Sequence, residues 1–137
     1  MATRTPEEAR NQIVSMVRDF VRREVVPIAD ECDKNDIVPL DLIEQMKEMG
    51  LFGINIPEEY GGMGLDYTTF AMIFEELSKG WMSTSGVIGT HHIMTHIVVN
   101  YGTQDQKERY LPAMARGEKR GGLALTEPDA GTDAQAI

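Results

Sequence analysis

The sequence predicts an all-α fold, a bundle of about five helices, followed by the first strand and loop of a β domain that is cut short. Three observations lead there. Apolar residues recur at helical spacing in successive stretches up to residue 117. Capping residues and glycines stand at the ends of those stretches. Beyond Gly117 the pattern changes to a short strand and a turn-rich loop, and a lone strand leaves its N–H and C=O groups without a ladder. Residues 1–117 are therefore expected to form a helical domain, and 118–137 the truncated beginning of a β-rich one.

The first helix opens at Thr5-Pro6-Glu7-Glu8, with Thr5 as cap, Pro6 at the first position and Glu8 completing a capping box. Ile13, Val17, Phe20 and Val21 form its apolar stripe; Pro27 should end or kink it, with a further turn or two over 28–35. A second helix is expected over 40–49, striped by Leu42, Ile43, Met46 and Met49, with Gly50 as its C-terminal cap. Residues 51–64 hold too many glycines and prolines for regular structure, yet they are apolar, so they should wrap on the core. Asp66 can cap a third helix over 67–79, facing inward through Phe70, Ile73, Phe74 and Leu77. A fourth helix spans about 83–101. Its first half is rich in small residues, and its glycines are weak helix formers, which suggests that something approaches that backbone closely. Thr103-Gln104-Asp105-Gln106 is a capping box for a fifth helix ending near Arg116-Gly117. Residues 119–126 read as a strand and 127–133 as a loop.

Composition narrows the class of function. The chain has 137 residues, 42% hydrophobic and 26% charged, as a soluble globular protein has. Thirteen basic against twenty-two acidic residues give a net charge of −9, which argues against nucleic acid, where Lys and Arg neutralise phosphates. No apolar run reaches the ~20 residues of a membrane span, and the acidic amino terminus has no signal core. The single cysteine, Cys32, lies among carboxylates that raise a thiol pKa, so it reads as a partly buried thiol in a reducing, cytoplasmic compartment.

The stretch Leu123-Ala124-Leu125-Thr126-Glu127-Pro128-Asp129-Ala130-Gly131-Thr132-Asp133 carries the most chemistry. A strand emerges into a loop with two hydroxyls, a proline and a glycine, and its N–H groups could donate to a carbonyl-bearing ring or a pyrophosphate. On its own the pattern is weak, because many surface turns contain these residues. His91, His92 and His96 include an i,i+4 pair that could hold a metal, but no Cys, Asp or Glu lies between Glu76 and Asp105, so pocket-lining or structural roles are favoured. Glu75 and Glu76 diverge by about 100° around a helix and cannot easily act on one atom as acid and base.

The string from Leu123 to Asp133 resembles the first signature motif of the acyl-CoA dehydrogenase family: an aliphatic residue, Ser or Thr, Glu, Pro, two variable positions, Gly, Ser or Thr, then Asp. Gly50-Leu51-Phe52-Gly53 through Pro57-Glu58-Glu59-Tyr60-Gly61-Gly62, Glu75-Glu76-Leu77-Ser78, and Tyr101-Gly102-Thr103 through Tyr110-Leu111-Pro112 resemble the family's other landmarks, in order, over nearly the whole chain. The resemblance implies FAD as cofactor, an acyl-CoA substrate and a separate electron acceptor. It implies that Leu123, Leu125, Thr126, Gly131 and Thr132 line the flavin, with Thr132 also near the CoA portion. It places Ser85, Gly89 and His91 along the acyl-chain pocket. It assigns no catalytic residue to this stretch of chain, because the family's base lies in its carboxy-terminal domain. The expectation is an enzyme fragment that is inactive alone, its homo-oligomer formed only at full length. The competing expectations are a self-standing helical scaffold and a flavin oxidase or monooxygenase of the same fold.

Overall fold

A computed structural model describes residues 4–136. Its helices are α1 (Glu7–Phe20), α2 (Val26–Lys34), α3 (Leu40–Glu48), α4 (Tyr67–Gly80), α5 (Met82–Tyr101) and α6 (Gln104–Ala115). A π-helical turn, Val21–Val25, fuses α1 and α2 into one rod, so the described residues form a five-rod bundle. α1 packs along α4, α4 along α5, and α5 along α6. Among the described residues no helix is long and apolar enough to cross a membrane.

The rod shows how Pro27 is accommodated. It sits near the start of α2, immediately after the π turn, where the Val26 N–H reaches back five residues to the Val21 carbonyl. A widened turn makes room for a ring that would otherwise press on the preceding turn, so the helix continues. The predicted capping box at Thr5 does not form. Pro6 is the N-cap and makes no side-chain cap bond. Thr5 instead faces α4: its N–H donates to Asp66 Oδ2 at 2.7 Å, and its Oγ accepts from the Asp66 N–H at 3.1 Å. A tertiary partner 61 residues away has taken the hydroxyl from the local cap.

The other caps follow the sequence. Gly50, at φ 74°, terminates α3: its N–H reaches the Lys47 carbonyl and the Leu51 N–H reaches that of Met46, a Schellman pair that a residue with a Cβ would strain. Asp66 accepts from the Thr69 N–H at 2.7 Å, and Thr103 and Gln106 form both bonds of their capping box.

The core is built from Val14, Val17 and Phe20 of α1, Leu42, Ile43 and Met46 of α3, Ile73 and Leu77 of α4, and Ile88 of α5. The loop between α3 and α4 contributes Leu51, Phe52, Ile54 and Ile56, all fully buried. It is irregular but stitched: Met63, Gly64 and Leu65 donate to the Gly53, Ile56 and Ile54 carbonyls at 2.8 to 2.9 Å. Glu76 of α4 is buried in an ion pair, with Arg18 donating to both its oxygens at 2.9 and 3.1 Å. That pairing, with Lys79 adding to it against the cost of burial, pulls the Glu76 carboxyl down to about 2. Glu75 pairs with Lys79 at 2.9 Å.

The strand expected over 119–126 is absent. Residues 120–126 form no ladder, and the β-type pairing among the described residues is the isolated bridge between Glu127 and Ala130. Strand geometry needs a neighbour to accept its N–H groups, and none runs alongside among the described residues.

Candidate functional site

The segment after α6 leaves the bundle by a tight reversal. The Glu118 and Lys119 N–H groups both reach the Ala113 carbonyl, at 3.0 and 3.2 Å. Gly121 then donates its N–H to His91 Nδ1 on α5 at 3.3 Å. From 122 to 126 no backbone N–H or carbonyl has a hydrogen-bond partner among the described residues. Leu123 and Leu125 are 53% and 46% exposed, so apolar side chains and unpaired donors lie together on one open stretch. At 127–130 the chain reverses, with Glu127 and Ala130 exchanging bonds of 2.7 and 3.3 Å. That turn folds Gly131 back on Thr126: a Cβ on Gly131 would stand 3.3 Å from the Thr126 methyl. Thr132 follows, exposed, and Asp133 receives the Gln135 and Ala136 N–H groups.

The structure thus brings Thr126 and Gly131 together, and Leu123, Leu125 and Thr132 are exposed. Ser85, Gly89 and His91 lie on α5, at the other end of the attachment. Ser85 is buried and donates to the Met82 carbonyl at 2.7 Å. Gly89 lies under the Phe74 ring, whose edge is 3.2 Å from where a Cβ would stand. His91 is fully buried, with Nε2 3.0 Å from the Phe52 carbonyl oxygen. His92 is buried beside it, with Nε2 2.9 Å from the Leu51 carbonyl oxygen. Burial lowers both imidazoles below the ordinary histidine range, His92 to about 4. His96, one turn further on, is exposed and meets the Tyr67 hydroxyl. The i,i+4 pair of histidines is therefore split between core and surface. The tie between His91 and Gly121 has no local signature; adjacent histidines on an apolar helix were its only trace.

A second feature of α5 bears on the site. The helix is apolar on both sides. Its outer face, through Met82, Ile93, Ile97 and Tyr101, remains exposed among the described residues.

The described residues form an all-helical domain with an exposed segment, apolar and hydroxyl-bearing, at its edge. The model of the acyl-CoA dehydrogenase N-terminal domain matches residues 7–118, and the chain belongs to that family. It is 42% identical over 135 residues to a 3-(aryl)acrylate reductase of Clostridium sporogenes, covering 95% of this chain and 35% of that protein. Its fold superposes with a TM-score of 0.88 on glutaryl-coenzyme A dehydrogenase in its glutaryl-CoA complex, at 32% identity, over 100% of this chain and 35% of that one. A structure described as the electron transferring flavoprotein of Acidaminococcus fermentans matches with a TM-score of 0.85 at 37% identity, over 99% and 36%. The chain spans about a third of the length of the relatives it matches.

Proposed function

We propose that this chain supplies one wall of the FAD site in an oxidoreductase that moves hydrogen between the α and β carbons of an acyl-CoA thioester and the flavin. The observation that carries the reading is the unpaired row of backbone groups over 122–126, which ends at Thr126 against Gly131 within a family member. Such a row suits a flat ring with apolar faces and hydrogen-bonding edges, so the residues present fit the group. When bound, FAD would supply the two-electron oxidant, a hydride acceptor for the β-hydrogen, while a base outside residues 1–137 would accept the α-proton.

The chain's own residues have narrower tasks. The Leu125 N–H and Thr126 hydroxyl donate to the ring edge, and the Leu123 and Leu125 side chains keep water from it. Thr132 reaches toward the pyrophosphate and the CoA portion. Ser85 and Gly89 would stand on the acyl-chain side of the site, with the Phe74 ring occupying the space beside Gly89. None of the nearby carboxylates takes the α-proton. Glu76 is held ionised by Arg18, Glu75 is paired with Lys79, and Glu127 lies on the turn exposed to solvent. The outer face of α5 and residues 118–137 are where a middle β domain and the rest of the protein pack, and a separate electron acceptor completes the cycle. The same transfer run as a reduction is the second reading, favoured by the similarity to the 3-(aryl)acrylate reductase.

The test is a chimera in which residues 1–137 replace the matching third of a related dehydrogenase. Anaerobic addition of an acyl-CoA should bleach its flavin, and Thr126→Val should slow bleaching by roughly tenfold, the worth of one hydrogen bond. The 137-residue chain mixed with FAD and acyl-CoA should give no bleaching. A chimera that folds but retains no flavin, or a Thr126→Val variant with unchanged rate, would contradict the assignment.

A further inference from the structure

The segment carrying Leu125, Thr126 and Thr132 is joined to the helical body at Gly121, and the joint is a histidine. His91 sits fully buried in the middle of α5, with the Phe52 carbonyl oxygen 3.0 Å from Nε2 and the Gly121 amide nitrogen 3.3 Å from Nδ1. A carbonyl oxygen can only accept and an amide N–H can only donate. The two partners therefore require the neutral ring with its proton on Nε2 and its lone pair on Nδ1. Gly121 is also pressed against α5: a Cβ on it would stand 2.3 Å from Met94 Cβ. One hydrogen bond and one close contact thus locate the point from which 122–126 depart, and those residues have no hydrogen bond of their own among the described residues.

The ring itself is braced. Phe52 packs edge-on at 5.3 Å between centroids, and His92 edge-on at 5.4 Å. Burial and the nearby Arg120 disfavour its charged form, while the Phe52 and Met114 carbonyls act in the opposite sense; burial is the largest of these influences. A neutral imidazole is the state that the two partners need.

We propose that His91 is a positioning residue, which in its Nε2-protonated neutral form ties the buried 51–53 loop to Gly121 and so sets where the 121–132 segment leaves the bundle. That this segment then faces a flavin rests on the function proposed above; the tie itself does not. His91 touches none of the reacting atoms and acts through Gly121.

The experiment uses the isotopically labelled 137-residue chain and NMR. Long-range nitrogen–proton correlation should show His91 protonated on Nε2. The Gly121 amide should exchange with solvent on the order of tenfold more slowly than that of Gly122, which is exposed and unbonded. His91→Phe keeps a ring but removes both bonds. It should bring Gly121 to the rate of Gly122 and shift the amides of 122–126, with α1 and α4 unmoved. His91→Gln retains a donor and an acceptor and should recover part of the protection. An Nδ1-protonated ring, or equal exchange at Gly121 and Gly122 in the parent chain, overturns the proposal, and both are read even where His91→Phe fails to fold. FAD is added as a separate arm. Shifts at 125, 126 and 132 that His91→Phe weakens support both readings, and shifts that it leaves unchanged overturn the positioning role. If FAD produces no shift in a chain whose Gly121 is protected, the flavin reading falls and the tie is upheld.

Discussion

Two stretches of this molecule are irregular, rich in glycine and apolar, and they behave in opposite ways. The loop from 51 to 65 buries Leu51, Phe52, Ile54 and Ile56 completely and closes on itself through backbone hydrogen bonds. The segment from 121 to 132 exposes Leu123 and Leu125, and its backbone over 122–126 is unpaired among the described residues. Local composition does not separate them. The first lies between two helices that bracket it over the core, while the second is attached at Gly121 and is exposed from Gly122 to Asp129. Irregular backbone is stable when its polar groups are paired within the fold. Where they are unpaired beside apolar side chains, the pairing is expected from a ligand or another part of the protein.

The largest test of that contrast is to truncate one apolar side chain in each stretch. Phe52→Ala should cost about 3–5 kcal/mol by chemical denaturation, since the ring is fully enclosed. Leu125→Ala should change stability by less than about 0.5 kcal/mol. Equal losses would mean that the segment is packed in solution.

Acid comes next. His92 is buried with Nδ1 unpartnered among the described residues, and burial lowers it from the ordinary 6.5 to about 4. The unfolded chain therefore takes up the proton first as pH falls. Stability is full above pH 6.5 and declines from there to about pH 4, by about 3 kcal/mol. The lowered carboxyl of Glu76 acts in the same direction further down, its contribution being lost between about pH 4.5 and 2. Urea midpoints across pH 4 to 7 check the first window, and His92→Gln should make it shallower, the remainder belonging to His91, which burial lowers as well.

Smaller again is a pair of glycine substitutions. A Cβ on Gly62 would stand 2.1 Å from the Ile56 carbonyl oxygen, whereas one on Gly122 would meet nothing within 4 Å. Gly62→Ala should destabilise by about 1–3 kcal/mol and Gly122→Ala by close to nothing, read from thermal midpoints.

The helices were legible because their signals are local. Apolar spacing gave the stripes of α1, α3 and α4, and Gly50, Asp66 and Thr103 marked ends that the structure reproduces with their hydrogen bonds. The wrapped loop was legible for the same reason, its apolar side chains being too many to leave in water. What escaped depended on partners distant in sequence or, at Pro27, on a helical turn of uncommon width. Thr5 left its own helix for Asp66, the rod passed Pro27 by widening one turn, and 119–126 found no neighbour with which to become a strand. At the candidate site the residues of the motif were visible as a string, and the turn that sets Gly131 against Thr126 follows from Glu127 to Ala130. The tie from His91 to Gly121 was not visible, because nothing in either residue's neighbourhood names the other.

Whether residues 123–132 line a flavin is tested most directly by an FAD titration of the labelled chain, followed at every assigned amide. Binding should be weak, because one wall of the site is present, with shifts concentrated at Leu125, Thr126, Gly131 and Thr132 and none on α1 or α3. Shifts centred elsewhere on the bundle, or none at any flavin concentration reached, would contradict it.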